Sequence, residues 1–455
     1  MFDRISLELR RLSWLAIPMI LTMLSQMGMG VADTIMAGHV SAADLAGVSL
    51  GGAVFWPALL FLSGIIMSLT PTVSQLHGAG KESEAGEVVR QALWIAFILG
   101  LLLIYLMGFA EALYRQINVD PLAIPIAVDY LNNISWGLLP LLGYFALRYL
   151  CEGMSWTTPA MIIAVCALAI KVPLNNLFIY GGYGIPAMGG AGCGWSSAIV
   201  MTAEFIALLV VVIYSRIAKL GVFDRFSWPN LQEIFRLMKL GLPIGLSMFL
   251  EMAVFSAMSL MVGILGVEKL AAHQIAQNVG GICFMVPLAI GMAASVRVGF
   301  NVGQGDLQAA RLSGYVAQGL AAIFALVAGL LVYFYRGDIA GAYSNDLEVV
   351  LLGAELMFFV AMFQLFDGVQ TTCIGALRGY KDTSTPMYIA VIAYWGLALP
   401  IGAGLGFGKF GLPDLGVNGF WIGMTVGLGI AAVVLASRYK WLSSKDGRIM
   451  ELAQH

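Results

Sequence analysis

The chain has 455 residues, 60% of them hydrophobic and 11% charged, with a mean hydropathy of +0.88 and a formal net charge of −2. Soluble domains carry about 25% charged residues, so water cannot be the solvent for most of this surface. The near-neutral balance also gives no basis for binding nucleic acid or an acidic partner.

Apolar runs of roughly 20 residues, enough to cross a hydrocarbon core about 30 Å thick, occur twelve times. The first, 12–37, follows the basic segment Met1–Arg11 without a small-residue cleavage pattern, so it reads as a span and not as a signal peptide. The others are 44–75, 88–110, 124–150, 159–180, 189–215, 236–264, 269–298, 312–334, 348–377, 386–407 and 415–437. Several are longer than the bilayer, which predicts tilt. Pro18, Pro57, Pro71, Pro243 and Pro287 are the expected kink sites. With a cytoplasmic N-terminus, nineteen Lys and Arg fall on the inner side, Arg148 among them, and only Arg115, Lys269, Arg336 and Lys409 on the outer. That asymmetry predicts a multi-pass protein with both termini in the cytoplasm. The five cysteines are scattered without metal-ligand spacing and read as packing residues.

The chain repeats itself. RRLSWLAIP (Arg10–Pro18) matches FRLMKLGLP (Phe235–Pro243) at an offset of 225, and EGMSWTTPAM (Glu152–Met161) matches RGYKDTSTPM (Arg378–Met387) at 226. Six spans per repeat is an even number, so both halves enter the membrane in the same direction. The expected fold is therefore an all-α integral membrane protein with twelve transmembrane helices. Two six-helix lobes, 1–215 and 235–455, are related by a pseudo-two-fold axis along the membrane normal, with a central cleft. The segment 216–234 mixes bases with Phe223, Phe226 and Trp228 and reads as an interfacial linker on the cytoplasmic face.

Two lobes point to a transporter working by alternating access. An ion channel is the reading from another class, although channels favour oligomeric rings or filters. No phosphate-binding loop and no Ser/His, HExxH or Cys/His arrangement is present, which argues against an enzyme and against ATP as the energy source. The energy is expected to come from an ion gradient or from the substrate itself, with no cofactor. Charges inside spans mark a functional path: Asp33, Lys171, Glu204, Glu251 and Asp367. The repeat pairs Glu251 with Gln26, Asp33 with Met258 and Asp367 with about Leu141, so each half has its own acids. Glu251 and Asp367 are expected at one depth in the C-terminal lobe. Like charges in a dry cavity cannot both stay ionised, so this pair can hold a proton or a cation.

Several stretches resemble the multidrug and toxic compound extrusion family, MATE, and most closely its NorM-type branch. They are MGVADTIMAGHVSAADLAGVSL (Met29–Leu50), LHGAGKESEAGEVVRQAL (Leu76–Leu93), PLNNLFIYG (Pro173–Gly181), GGAGCGWSSAIV (Gly189–Val200) and LRGYKDTSTPMY (Leu377–Tyr388). The resemblance covers almost the whole chain. It implies a monomeric antiporter in the bacterial inner membrane that exports organic cations and drugs in exchange for H⁺ or Na⁺. By position, Asp33 matches the acid of the N-terminal cation site, and Glu251 and Asp367 match the acids of the C-terminal lobe, where Na⁺ is the other candidate ion. A lipid-linked substrate flippase of related fold is the alternative transporter, but it would need a broad basic groove.

Two positions depart from the family. The fifth helix commonly carries an Asn four residues before an Asp or Asn; here the second position is Asn175 and the first is Lys171. Phe363 stands one turn before Asp367, where NorM-type relatives carry a tyrosine, and Ser197 aligns with a helix-6 hydroxyl. Lys171 and Asn175 share a helix face, and the lysine stem can climb about one turn, roughly 6 Å. Lys171 is therefore expected to act as a tethered cation beside Asp33, in the place where relatives bind Na⁺. That favours coupling to protons, carried either by Glu251 and Asp367 or by Asp33, which would release Lys171 on becoming neutral. Methionines on the first and seventh spans suit a cavity for flat aromatic cations.

Overall fold

The computed structural model describes residues 2–116, 120–409 and 411–454; Met1 and His455, the outer limits of the two expected lobes, lie outside that range. The spans are α1 (Phe2–Val40), α2 (Ala42–Gly78), α3 (Glu82–Met107), α4 (Ala123–Ser135 and Leu138–Gly153), α5 (Thr158–Tyr180) and α6 (Gly192–Tyr214). The second half contributes α7 (Leu231–Gly263), α8 (Val267–Gly303), α9 (Leu307–Phe334), α10 (Leu347–Gly379), α11 (Ser384–Gly406) and α12 (Val417–Ser443). Counting the bent α4 as one, all twelve are long and apolar enough to cross a membrane, and the described residues contain no strand.

Most helices outrun the apolar stretches that announce them. Helical turns continue beyond the apolar stretch at many of the ends, as at residues 2–11 of α1 and 299–303 of α8. Pro18, Pro57, Pro243 and Pro287 lie inside helices that run on past them, and α2 turns at Met67–Ser68, just before Pro71. The sharp break is elsewhere: α4 bends by 50° between Ser135 and Leu138. Gly137 stands there. A Cβ on it would come within 2.6 Å of Ala198 Cα and 2.9 Å of Met201 Sδ, so α6 presses against bare backbone at the bend. The middle of α11, Val391–Ala398, is wound as a π-helix.

The chain forms two compact units, one of Met1–Ala16 with Leu246–His455, the other Ile17–Gly245. Their limits fall inside α1 and α7, whereas the sequence suggested a division at the linker 216–234. Packing explains the difference. Glu8, in the second turn of α1, accepts hydrogen bonds from Arg297 Nε and Nη2 at 2.8 Å each and from Ser313 Oγ at 2.7 Å. All three groups are buried, which ties the start of α1 to α8 and α9. Gly241 and Gly245, near the start of α7, lie directly on the carbonyls of Ile65 and Phe61 in α2. The linker belongs to this second unit too. Arg90 of α3 donates from Nη1 to Gly221 O (2.6 Å) and Val222 O (3.1 Å), and Trp94 Nε1 donates to Ser227 O (3.0 Å).

Small residues set the helix spacing, as expected where lipid supplies no hydrophobic force between helices. The repeat is visible at this level. Gly153 would place a Cβ 2.8 Å from Val73 Cβ, and its counterpart Gly379 would place one 2.7 Å from Val298 Cβ. Among the tightest is the crossing of α8 and α10, where a Cβ on Gly375 would sit on the Gly291 carbonyl oxygen. Gly375→Val is expected to cost about 1–3 kcal/mol through overpacking, read as a lower melting temperature of the detergent-purified protein. Gly319→Val, on α9 with open space around it, should leave that temperature unchanged.

Candidate functional site

Within the unit 17–245, three helices converge on Asp33. Lys171 and Asn175 face it from α5, one turn apart, with Pro173 between them tolerated because neighbouring helices satisfy the backbone. Gly181 ends that helix with φ +80°, a conformation that glycine adopts without strain. Ser197 and Cys193 face Asp33 from α6.

The contacts are short and dry. Lys171 Nζ lies 2.9 Å from Asp33 Oδ1, and Asn175 Nδ2 donates to the same oxygen at 2.7 Å. Ser197 Oγ donates to Asp33 Oδ2 at 3.3 Å. Lys171 Nζ also donates to Ser197 Oγ at 2.5 Å and to Cys193 O at 3.4 Å. Lys171 is 1% exposed and Asp33 5%. Both Asp33 oxygens are therefore occupied by protein donors, one of them an ammonium.

A cavity of about 160 Å³ opens beside this cluster, lined by Gln26, Asp33, Lys171, Ser197 and Glu204 among apolar side chains that include Trp56 and Phe145. Six of the nine residues singled out from the sequence thus meet in one place, Asn175 through its bond to Asp33. Glu204 is 3% exposed, and its Oε1 has no hydrogen-bond partner. Gln26 accepts at Oε1 from Arg148 Nη1 (3.3 Å).

Arg148 is the residue whose pairing sequence reasoning missed. Counted with the inner-side bases, it is in fact 4% exposed inside α4, donating from Nε to Glu152 Oε1 at 2.7 Å. The signal was there: an Arg and a Glu four apart in the otherwise apolar run LLPLLGYFALRYLCEG.

The unit 1–16 with 246–455 holds the remaining three. Glu251 on α7 accepts at Oε1 from Tyr394 Oη (3.3 Å), and Gln370 Nε2 donates to the same tyrosine oxygen. Asp367 on α10 is 2% exposed; Thr371 Oγ1 approaches its Oδ1 at 3.5 Å, and its Oδ2 has no partner. Tyr394 was not anticipated. It sits in the run VIAYWGLA, whose π-helical winding faces it toward Glu251, and no local pattern distinguishes it from a packing tyrosine. Phe363 is buried edge-on against Phe255 and Trp421 at centroid distances of 6.0 and 6.2 Å. A hydroxyl that reaches the acidic site comes from α11, at Tyr394.

Comparison with known proteins gives a consistent result. The MatE family profile matches residues 18–177 and 243–403, two segments that start 225 residues apart, as the internal repeat does. "Multidrug resistance protein MdtK" of Yersinia pseudotuberculosis serotype O:1b (strain IP 31758) is 40% identical over 451 residues, 98% of this chain and 99% of that one. Among solved structures, the eukaryotic MATE transporter AtDTX14 superposes with a TM-score of 0.88 at 20% identity, covering 98% of this chain and all of that one. The Vibrio cholerae MATE transporter VcmN, in its bent form, gives 0.86 at 16% identity, covering 98% and 99%. At such identities the structural likeness speaks for the fold.

Proposed function

The chain belongs to the MatE family of transporters and is not an enzyme, and from that premise we propose that it is a multidrug efflux antiporter driven by protons. It exports cationic, amphipathic drugs across a bacterial inner membrane by alternating access, acting as a monomer with both termini in the cytoplasm and needing no cofactor. Each positive charge returning inward gains about 2.3 kcal/mol per 100 mV of membrane potential.

The observation that carries the choice of ion is the Lys171 ammonium, 2.9 Å from Asp33 and sealed from solvent. Na⁺ at Asp33 would have to displace a tethered cation that already holds that carboxylate and would leave it buried without a partner. A proton meets no such obstacle. Glu251 and Asp367 in the other unit hold few donors and are the acids best placed to load and release it.

The test is ethidium transport by the purified protein in liposomes. An imposed pH gradient is expected to drive the dye and an imposed Na⁺ gradient is not. Lys171→Asn should gain a Na⁺ response. Transport by the wild type on a Na⁺ gradient alone would overturn proton coupling and move the ion to Glu251 and Asp367.

A further inference from the structure

The ion pairs around the cavity of the unit 17–245 leave one charge over. Three ionisable groups line it, Asp33 from α1, Lys171 from α5 and Glu204 from α6, and the pair Arg148 and Glu152 of α4 adjoins it through the lining residue Gln26. Asp33 is matched by Lys171 at 2.9 Å and Glu152 by Arg148 at 2.7 Å. Glu204 has no base of its own; Arg148 and Lys171 act on it only from beyond hydrogen-bond reach. Tyr144, whose buried hydroxyl is also without a partner, is the other titratable group nearby.

With every acid ionised the cluster carries one net negative charge. A buried carboxyl with no partner is stable only with a proton on it or a cation against it. The walls decide which cation. Trp56 and Phe145 line it with aromatic rings and Met29 and Met201 are polarisable, surroundings that favour a weakly hydrated organic cation. At about 160 Å³ the cavity is smaller than the roughly 300–1,000 Å³ that encloses a whole drug. It therefore fits the charged head of an amphiphile and leaves the tail outside.

We propose that Glu204 is the counter-charge for the head of a hydrophobic organic cation in this cavity, exchanged one for one against a proton, while Asp33 stays bound to Lys171. This rests on the multidrug reading and deepens it by naming where one substrate charge is met.

Binding of hexyltrimethylammonium, a compact cationic head on an apolar tail, to the purified full chain, followed by titration calorimetry in buffers of different ionisation enthalpy, tests it. Wild type should release close to one proton per cation bound in this cavity. Glu204→Gln should weaken binding at least about tenfold and lose that proton release, at an unchanged melting temperature. Glu204→Asp should keep the release. Wild-type affinity and proton release in Glu204→Gln would overturn the proposal while leaving the transport reading intact. A wild-type protein that neither binds this cation nor moves ethidium would overturn both. If Glu204→Gln fails to fold, Phe145→Ala decides: weaker binding supports the cavity, and unchanged affinity overturns it.

Discussion

Replacing Asp33 by asparagine is expected to lower the stability of the purified protein by about 3–5 kcal/mol and to abolish drug transport. The cause is what remains behind. Lys171 is 1% exposed, and without the Asp33 carboxylate its ammonium keeps only neutral acceptors, Ser197 Oγ, Cys193 O and the new amide oxygen. Removing one member of a buried pair costs about that much because the other charge is left uncompensated. Removing both is different. Asp33→Asn combined with Lys171→Met should recover most of the lost stability, because no charge is stranded, and should recover none of the transport. Thermal unfolding of the three variants in detergent, with dye efflux from cells expressing them, separates these outcomes. A single Asp33→Asn variant as stable as wild type would show that Lys171 is not held by this carboxylate.

Asp367→Asn should behave in the opposite way, with transport falling to the level of empty liposomes and stability unchanged or raised. Asp367 Oδ2 has no partner, and Oδ1 meets only Thr371 Oγ1 at 3.5 Å, so little binding energy is lost with the charge. The amide keeps the shape of the side chain but can no longer take up a proton from one side of the membrane and give it up on the other. Dye uptake under an imposed pH gradient, measured beside the melting temperature, checks both halves. Full transport by Asp367→Asn would remove this acid from the coupling path. A large loss of stability would instead make it a structural anchor.

The contrast between these two acids indicates what a sequence of this kind discloses. The spans were legible because burial in lipid demands length and low polarity, and both can be counted. Lys171 was legible because a lysine inside such a run has few resting places, and a four-residue spacing to Asn175 fixed the face it shares. The bend in α4 was not legible, since its cause lies across the interface at Ala198 and Met201 and not in a local proline. The pairing of Arg148 was missed because a count of bases by loop cannot tell an arginine in water from one closed into an ion pair. Tyr394 is the hardest case: its role depends on a π-helical register that no periodicity of apolar residues encodes. The limits of the two units were likewise hidden. They depend on Glu8 finding Arg297, a pairing across 289 positions.

That last pairing constrains how the protein is made. Glu8 leaves the ribosome 289 residues before Arg297, an interval of roughly 15–60 s at about 5–20 residues per second. Throughout that time the first turns of α1 have no partner for their carboxylate, which must wait in water or at the headgroups while six further helices are inserted. The unit built around α8 and α9 therefore cannot close until a segment made 289 residues earlier returns to it. A bulky fusion at the N-terminus would thus be felt in assembly of the half of the chain synthesised last.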